Sequence, residues 1–287
     1  MKNFRAYFLL FIAVVALCSC DLAKNNKALI SEAGKVLVEE PDQKDVEAGA
    51  CDASAGAAEA DDKLVMQTSP KGTPEQILKR TGYVASYNKT TLLPNWVAWH
   101  LTAERTEGSA KRSGVDFAED TEVPEPRATD WDYYNSGYDR GHMCPAADNK
   151  WSKKAMEESF LFTNMCPQNG NLNRGDWNEM EMACRKWAKK YGDLYIVCGP
   201  ILYKGKHKTI GKNKVFVPEA FFKVVLRTGD DPQAIGFIYK NTSGNRPKDS
   251  YVNTVDEVER ITGIDFFPSL PDDVEKKVEA ECDLGLW

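Results

Sequence analysis

The distribution of aromatic residues divides this 287-residue chain into two parts. No aromatic residue lies between residue 21 and about residue 72. From about residue 73 to Trp287 aromatic residues recur, with no internal repeat or low-complexity block. A segment that lacks large apolar side chains buries too little surface to offset the entropy lost on ordering. The sequence therefore predicts a flexible acidic tether over residues 20–75 and one folded domain over residues 76–287.

The N-terminus has the pattern of a secretory signal. Lys2 and Arg5 precede an apolar run of twelve residues, and a helix of that length spans about 18 Å, less than the roughly 30 Å of a bilayer's hydrocarbon core. The following Leu-Cys-Ser-Cys20 resembles a bacterial lipoprotein signal. An ordinary signal peptide with incidental cysteines is the alternative. We expect a signal peptide over residues 1–19 and an exported protein, lipid-anchored through Cys20 to a bacterial membrane, either periplasmic or at the cell surface.

Six further cysteines make disulfide bonds an expectation for an exported protein. Sequence alone does not choose among their pairings. No Cys-x-x-Cys pair is present, which argues against a structural zinc site. The six are Cys51, Cys144, Cys166, Cys184, Cys198 and Cys282.

Hydrophobic spacing predicts an α+β fold. Apolar runs over residues 83–87 and 96–101 predict two strands joined by a Pro94-Asn95 turn. Apolar residues three and four apart predict a helix over residues 175–191. The strands and helices do not alternate regularly, which favours α+β over a parallel α/β sheet. Further predicted elements are strands at 194–198, 221–226 and 234–239, and helices at 255–262 and 272–281.

Only one of the three histidines lies in a sequence that suggests chemistry. His142 ends the run Tyr138-Asp-Arg-Gly-His, in which the glycine permits a close backbone approach. A simple turn is the alternative. His100 lies in an apolar strand, which indicates a packed or surface histidine, and His207 lies in a lysine-rich loop, where it is a loop residue or a neighbour of phosphate.

A second polar cluster follows about twenty residues later. It begins with Asn164-Met-Cys-Pro-Gln168 and continues from Asn173 through Trp177 to Glu181. Asn173 stands at a helix entrance, where asparagine is a favoured cap. Its side-chain carbonyl is equally suited to a hard cation such as Mg²⁺.

Together these segments resemble the DNA/RNA non-specific endonuclease family of the ββα-metal superfamily. The Asp-Arg-Gly-His box at 139–142 matches, as do Asn-x-x-Pro-Gln at 164–168 and the spacing from Asn173 to Glu181. The resemblance covers roughly residues 76–280 and is weaker before Asp139. It implies a mixed, mainly antiparallel sheet core with a ββα-metal motif, and an enzyme that hydrolyses phosphodiester bonds of DNA and RNA with little sequence specificity.

The resemblance also implies roles for individual residues. His142 is the general base that activates water, and Asn173 is the only direct protein ligand of Mg²⁺, for which Mn²⁺ is a substitute. Arg140 acts on the phosphate or on the charge around His142. Glu181 reaches a metal-bound water, with an ion pair to Arg185 as the structural alternative. Asn164 is a supporting amide near the histidine.

Upstream of the boxes the assignment is less specific. Arg112 is the candidate for the arginine that clamps the phosphate, with Arg105 and Lys111 as rivals. Two disulfides are hypotheses beside the site: one would join Cys144 to Cys166, and the other would join Cys184 to Cys198.

Substrate binding has to come from local charge, because the whole chain has a formal net charge of −6 and nucleic-acid binders are usually basic. Lys206 and Lys208, in a basic loop, are the candidates, with a solvated surface as the alternative. Three other functions stay open: a phosphodiesterase of narrower substrate range, a lipoprotein that binds nucleic acid without catalysis, and a disulfide-linked structural surface protein.

Overall fold

A seven-stranded antiparallel sheet lies at the centre of the domain, which a computed structural model describes over residues 63–287. The strands are ordered β1-β2-β3-β6-β9-β10-β11, and two short hairpins, β4–β5 and β7–β8, lie outside this sheet. The bounds are β1 Gln76–Lys79, β2 Val84–Asn88, β3 Leu93–Leu101, β4 Asp139–His142, β5 Met165–Gln168, β6 Leu194–Ile201, β7 Thr209–Ile210, β8 Val215–Phe216, β9 Ala220–Arg227, β10 Gln233–Lys240 and β11 Val252–Asn253.

Residues 63–287 contain six α-helices, of which the last three pack on the two faces of this sheet. They are α1 Asp130–Tyr133, α2 Lys153–Glu158, α3 Gly170–Leu172, α4 Asn178–Tyr191, α5 Val255–Thr262 and α6 Asp272–Ala280. Strand β6 shows how the faces divide: Leu194 and Ile196 pack into the core that holds α4, whereas Tyr195 and Val197 pack into the core that holds α5 and α6. Burial on both faces explains why the central strands are almost continuously apolar. The predicted α+β class with a mainly antiparallel sheet is confirmed.

The α4 helix confirms the predicted spacing. Trp177, Met180, Cys184 and Trp187 are buried on one side, as side chains three and four residues apart share a helix face. The helix ends at Gly192, whose φ of 91° lies in the left-handed region that glycine tolerates. Within residues 63–287, no helix is both long enough and apolar enough to span a bilayer.

The predicted end of the tether at residue 75 is too late in the chain. Val65 is buried in the core beneath α5 and α6. The Thr68 backbone exchanges two 3.0 Å hydrogen bonds with Asp265, and the Gln67 side chain accepts one from the Phe267 amide at 2.8 Å. Residues 63–75 thus pack on the domain although they lack aromatic side chains, because the partners that bury them lie almost two hundred residues away.

The predicted Pro94-Asn95 turn is also wrong. Both residues lie inside β3, and the chain reverses over residues 89–92, where Leu92 has a φ of 59°. Pro94 pairs with Tyr87 at a register shift in the β2–β3 ladder, and β6 pairs with β3 only from Val97 onward. Proline is tolerated in a strand at such an irregular position, where no regular ladder needs its missing N–H.

The two hypothetical disulfides beside the site are absent. Cys144, Cys166, Cys184 and Cys198 are all free thiols, and each is buried. Burial raises the pKa of Cys184 to about 12 and that of Cys198 to about 11, so both remain neutral and pack as small apolar groups. Cys51 and the predicted lipidation site Cys20 lie outside the described residues.

We expect all four buried cysteines to be alkylated when the protein is unfolded without a reductant, because none is engaged in a disulfide. Peptide mass mapping after unfolding in iodoacetamide measures this. In the folded protein the same thiols should react far more slowly, since burial removes both access and thiolate character. The exposed Cys282 serves as the fast-reacting internal control. Recovery of a Cys144–Cys166 or Cys184–Cys198 linked peptide would contradict the structure.

Candidate active site

The β4–β5 hairpin brings the two sequence boxes together. In its antiparallel register Gly141 lies opposite Cys166 and His142 lies opposite Met165. A Cβ atom on Gly141 would lie 2.6 Å from the Cβ atom of Gln168, which is fully buried and part of the paired strand. Glycine is therefore required beside the histidine, which explains the Gly-His order in the sequence.

Asn164 fixes the chain that follows His142. Its side-chain oxygen accepts a hydrogen bond from the Cys144 amide at 2.9 Å, and its side-chain nitrogen donates to the Cys144 and Ser159 carbonyls at 2.9 and 2.8 Å. The side chain is fully buried. This geometry agrees with the expected supporting amide, and it gives Asn164 a positioning contact to the histidine segment.

The helix predicted over residues 175–191 begins as α4 only at Asn178. Before it, Asn173–Trp177 form a π-type turn that is kinked at Gly175, whose φ of −101° and ψ of −112° lie outside the helical region. At its end the Trp177 indole donates a 3.3 Å hydrogen bond to the His142 carbonyl. The turn thereby ties the start of α4 to the end of β4.

A cleft of about 990 Å³ opens where these segments meet. It collects five of the six residues predicted for catalysis or metal binding, whereas Asn164 lies behind the wall. The five are Arg112, Arg140, His142, Asn173 and Glu181.

The His142 ring is held in an apolar setting. It packs against the edge of the Phe160 ring at 4.9 Å and near the Phe117 ring at 5.7 Å. Within residues 63–287 its buried Nε2 has no hydrogen-bond partner. Burial, together with the smaller effect of the positive charge of Arg112, lowers the pKa of His142 to about 3. The ring is therefore neutral near pH 7, and one of its nitrogens has a free lone pair.

Asn173 is oriented by its amide nitrogen. Nδ2 donates a 3.0 Å hydrogen bond to Asp139, and Arg174 forms an ion pair with the same carboxylate oxygen. Because the nitrogen is the donor, the side-chain carbonyl oxygen of Asn173 keeps its lone pairs for another ligand. Asp139, the first residue of the Asp-Arg-Gly-His box, thus has a positioning contact that the sequence did not reveal.

Glu181 lies in the first turn of α4 and lines the cleft. The alternative ion pair with Arg185 does not form, since Arg185 binds the buried Asp148 at 2.8 Å. Burial raises the pKa of Glu181 to about 7, against the opposing charges of Lys223 and Arg185. The Glu181 carboxyl group can therefore contact a ligand in the cleft, and a cation there would stabilise its charged form.

A buried lysine lies beneath this wall. Lys223 of β9 is 1% exposed, and its ammonium group lies 4.3 Å from the Trp177 ring and 5.1 Å from the Trp99 ring. A buried ammonium requires compensating partners. Sequence reasoning assigned it no role, although one lysine within the apolar run Phe-Phe-Lys-Val-Val-Leu was a signal that could have been read.

The two arginines of the cleft have different partners. Arg140 forms an ion pair with Asp130 at 2.6 Å, and its guanidinium lies over the Phe117 and Tyr133 rings at 5.5 and 5.7 Å. Arg112 lies over the Phe160 ring at 5.5 Å and has no carboxylate partner within residues 63–287. The charge that helps to keep His142 neutral is accordingly that of Arg112 rather than Arg140.

The two candidate lysines for substrate binding and the other two histidines lie outside the cleft lining. Lys206 is exposed, and Lys208 donates to the Tyr138 hydroxyl at 3.3 Å. His207 contacts Glu219 at 3.1 Å, and His100 contacts Asp193 at 2.9 Å and stacks on Tyr195.

Of the rivals to Arg112, Lys111 shares the cleft lining, whereas Arg105 lies over Trp151. Substrate contact by Lys206 and Lys208 stays a prediction.

One other group of side chains is suited to a cation. Asp256, Glu259 and Glu279 each have a carboxylate oxygen within 4.8 Å of the others, and none of the three lines the cleft. Burial, together with the neighbouring acids, raises the pKa of Glu279 to about 8 and that of Glu259 to about 7.

A histidine hairpin followed by a helix, with an amide from the turn before that helix in the same cleft, defines the ββα-metal class of site. The model of the family described as DNA/RNA non-specific endonuclease matches residues 61–273. The chain belongs to this family, and the predicted family is confirmed. The prediction of a phosphodiester-cleaving enzyme is thereby supported at the level of the family.

Relatives agree with this membership. "Nuclease EXOG, mitochondrial" of Danio rerio is 39% identical over 206 residues, which are 66% of this chain and 60% of the relative. "Endonuclease G, mitochondrial" of Homo sapiens is 34% identical over 209 residues, 68% of this chain and 70% of the relative. A chain in the crystal structure of the EndoG/EndoGI complex superposes with a TM-score of 0.65 at 32% identity, covering 69% of this chain and 87% of that chain. This chain spans about 60% of the length of the mitochondrial EXOG relatives.

These relatives overturn the predicted location. They are named as mitochondrial nucleases rather than lipid-anchored proteins of a bacterial membrane, so the expectation of an exported lipoprotein is withdrawn. The expectation depended on two basic residues, a short apolar run and a cysteine. Charge and hydropathy of this kind are shared by several classes of targeting segment and do not identify a membrane.

The structure predicts that the His142 ring stays uncharged as the pH falls from about 8 to about 5, a range in which an ordinary histidine titrates. NMR of the three histidine rings measures this, with assignments from single substitutions. Because an unfolded chain binds the proton near pH 6.5, stability should also fall below that pH, by up to about 1.4 kcal/mol per unit.

Arg112→Ala should raise the pKa of His142 part of the way toward its ordinary value, since burial remains the larger cause. Arg112→Lys retains the positive charge and is the matched control. A wild-type His142 that titrates near pH 6.5 would show that the ring is not enclosed as described.

Proposed function

We propose that this protein is a metal-dependent endonuclease that hydrolyses the phosphodiester bonds of DNA and RNA with little sequence specificity. One observation carries the proposal: the neutral imidazole of His142, the free side-chain oxygen of Asn173 and the guanidinium of Arg112 line the same cleft. The EXOG and endonuclease G relatives are named as nucleases, and the ββα class of site is suited to this chemistry.

The oxygen donors of the cleft fit Mg²⁺. The side-chain oxygen of Asn173 and the carboxylate of Glu181 both line it, and Mg²⁺ prefers oxygen ligands while it keeps several of its waters. We propose Asn173 as the direct ligand and Glu181 as a partner of the hydration shell. Bound Mg²⁺ would neutralise charge on the phosphate and on the leaving 3′ oxygen. Mn²⁺ prefers the same donors and should substitute.

The neutral His142 then acts as the general base. Its free lone pair takes a proton from the water that attacks phosphorus, which requires an imidazole whose pKa does not hold a proton near pH 7. Trp177 and Asn164 keep the ring in place through the backbone of residues 142 and 144. A base held in this way loses little orientation freedom before the reaction.

Arg112 supplies the contact to the phosphate. Its guanidinium has no carboxylate partner within residues 63–287, so its donors can bind two phosphate oxygens. Arg140 is neutralised in part by Asp130, and its charge acts at longer range. Contacts to phosphate carry no sequence information, because every nucleotide presents the same group. Weak sequence preference follows from a cleft that binds through such contacts.

The test is digestion of plasmid DNA and of RNA by the purified protein in Mg²⁺. His142→Ala should lower the rate by roughly 10² to 10⁴-fold, the usual contribution of a general base. Excess EDTA should stop the wild-type enzyme, and added Mg²⁺ should restore it. His100→Ala is the matched control, because His100 lies outside the cleft. Circular dichroism and the Tm of each variant show whether folding is intact.

Three outcomes separate this function from its alternatives. Binding of nucleic acid without hydrolysis would favour a non-catalytic binding protein. Hydrolysis of short oligonucleotides alone would favour a phosphodiesterase of narrow range. Undiminished hydrolysis by folded His142→Ala, or in excess EDTA, would contradict the mechanism.

A further inference from the structure

Two large aromatic side chains are exposed at the end of α1. Trp131 is 78% exposed and Tyr134 is 60% exposed, the two highest values among the exposed large apolar side chains of residues 63–287. Trp131 lies within α1, and Tyr134 is the extended residue that directly follows it. Their rings meet edge to face, with centroids 5.5 Å apart and planes at 71°.

The backbone that carries the pair is anchored. The Asp132 carboxylate accepts hydrogen bonds from the Thr129 amide at 2.9 Å and from the Asn213 backbone and side chain, each at 2.9 Å. Tyr133 is buried and stacks on Phe162 with centroids 5.3 Å apart. The two residues between Trp131 and Tyr134 are therefore fixed, which holds both aromatic residues at the surface.

The pair follows directly after a residue that contacts the lining of the cleft. Asp130, the residue before Trp131, binds Arg140 at 2.6 Å, and Arg140 lines the cleft together with His142. Adjacent Cα atoms are 3.8 Å apart. Trp131 is thus one residue along the chain from a direct contact with the cleft lining.

An unpaired base is the occupant that this position favours. Two side chains offer at most about 500 Å² of surface, less than the roughly 800 Å² that each partner of a stable protein complex buries. A nucleic-acid strand whose phosphates lie beside Arg112, Lys111 and Lys150 in the cleft would carry its bases toward this pair. Every base has a π face, and aromatic side chains stack on it without regard to sequence.

We propose that Trp131 and Tyr134 form a stacking platform for an unpaired base next to the scissile phosphate, an inference that rests on the proposed nuclease function. The bases of a duplex are paired and stacked inside it, so they reach the platform only after unstacking. The platform should therefore strengthen binding of single strands and leave duplex binding nearly unchanged.

Binding in a His142→Ala background tests this without hydrolysis. A short labelled oligothymidylate and a duplex of equal length are titrated by fluorescence anisotropy. Trp131→Ala should weaken binding of the single strand roughly 5- to 100-fold, the loss expected for one stacked base, and change duplex affinity by much less. Trp131→Phe should restore most of the single-strand affinity, because a phenyl ring also stacks. Leu286→Ala, another exposed apolar side chain, is the control.

With His142 present, Trp131→Ala should raise KM on single strands while kcat stays near the wild-type value. Equal loss for single strand and duplex, or no loss for either, would overturn the platform. A wild-type protein that cleaves no nucleic acid would instead refute the proposed function. Unchanged single-strand affinity in an active Trp131→Ala enzyme rejects the platform alone.

Discussion

The whole site depends on how His142 is enclosed at the end of a four-residue strand that lies outside the main sheet. Its register against β5, the missing side chain at Gly141 and the hydrogen bond from Trp177 to its carbonyl fix the backbone. Aromatic rings and the charge of Arg112 then keep the imidazole neutral. A solvent-exposed histidine would be protonated over part of the physiological range. Enclosure therefore keeps the imidazole unprotonated near pH 7, so that it can accept a proton.

Buried charged groups beneath α4 support the side of the cleft that Glu181 lines. Lys223 projects from the central sheet between two tryptophan rings, one of which is the Trp177 that holds His142. Nearby, Asp148 accepts hydrogen bonds from the Trp99 indole and from Arg185. Glu181 stands above these groups at the cleft. The large sheet thus contributes to the site through buried partners, although it supplies none of the five predicted residues that line the cleft.

Sequence reasoning succeeded where the determinants are local. The Asp-Arg-Gly-His box, the Asn173 to Glu181 spacing and the buried face of α4 each lie within a few turns of chain, so residue order reports on them directly. It failed where partners are distant. Val65 is buried by residues near the C-terminus, and Lys223 finds its rings on β3 and at the end of the π-type turn. The two predicted disulfides beside the site were wrong because the four cysteines are buried as unpaired thiols in the core.

The proposed mechanism requires one cation at Asn173 and one base at His142 to act on the same phosphate. A crystal structure of His142→Ala with Mn²⁺ and a short oligonucleotide tests this, because anomalous scattering locates the ion. An anomalous peak is expected in the cleft, bonded to the Asn173 side-chain oxygen and to a phosphate oxygen beside Arg112. A peak found only at Asp256, Glu259 and Glu279, with Asn173 away from any ion, would contradict it.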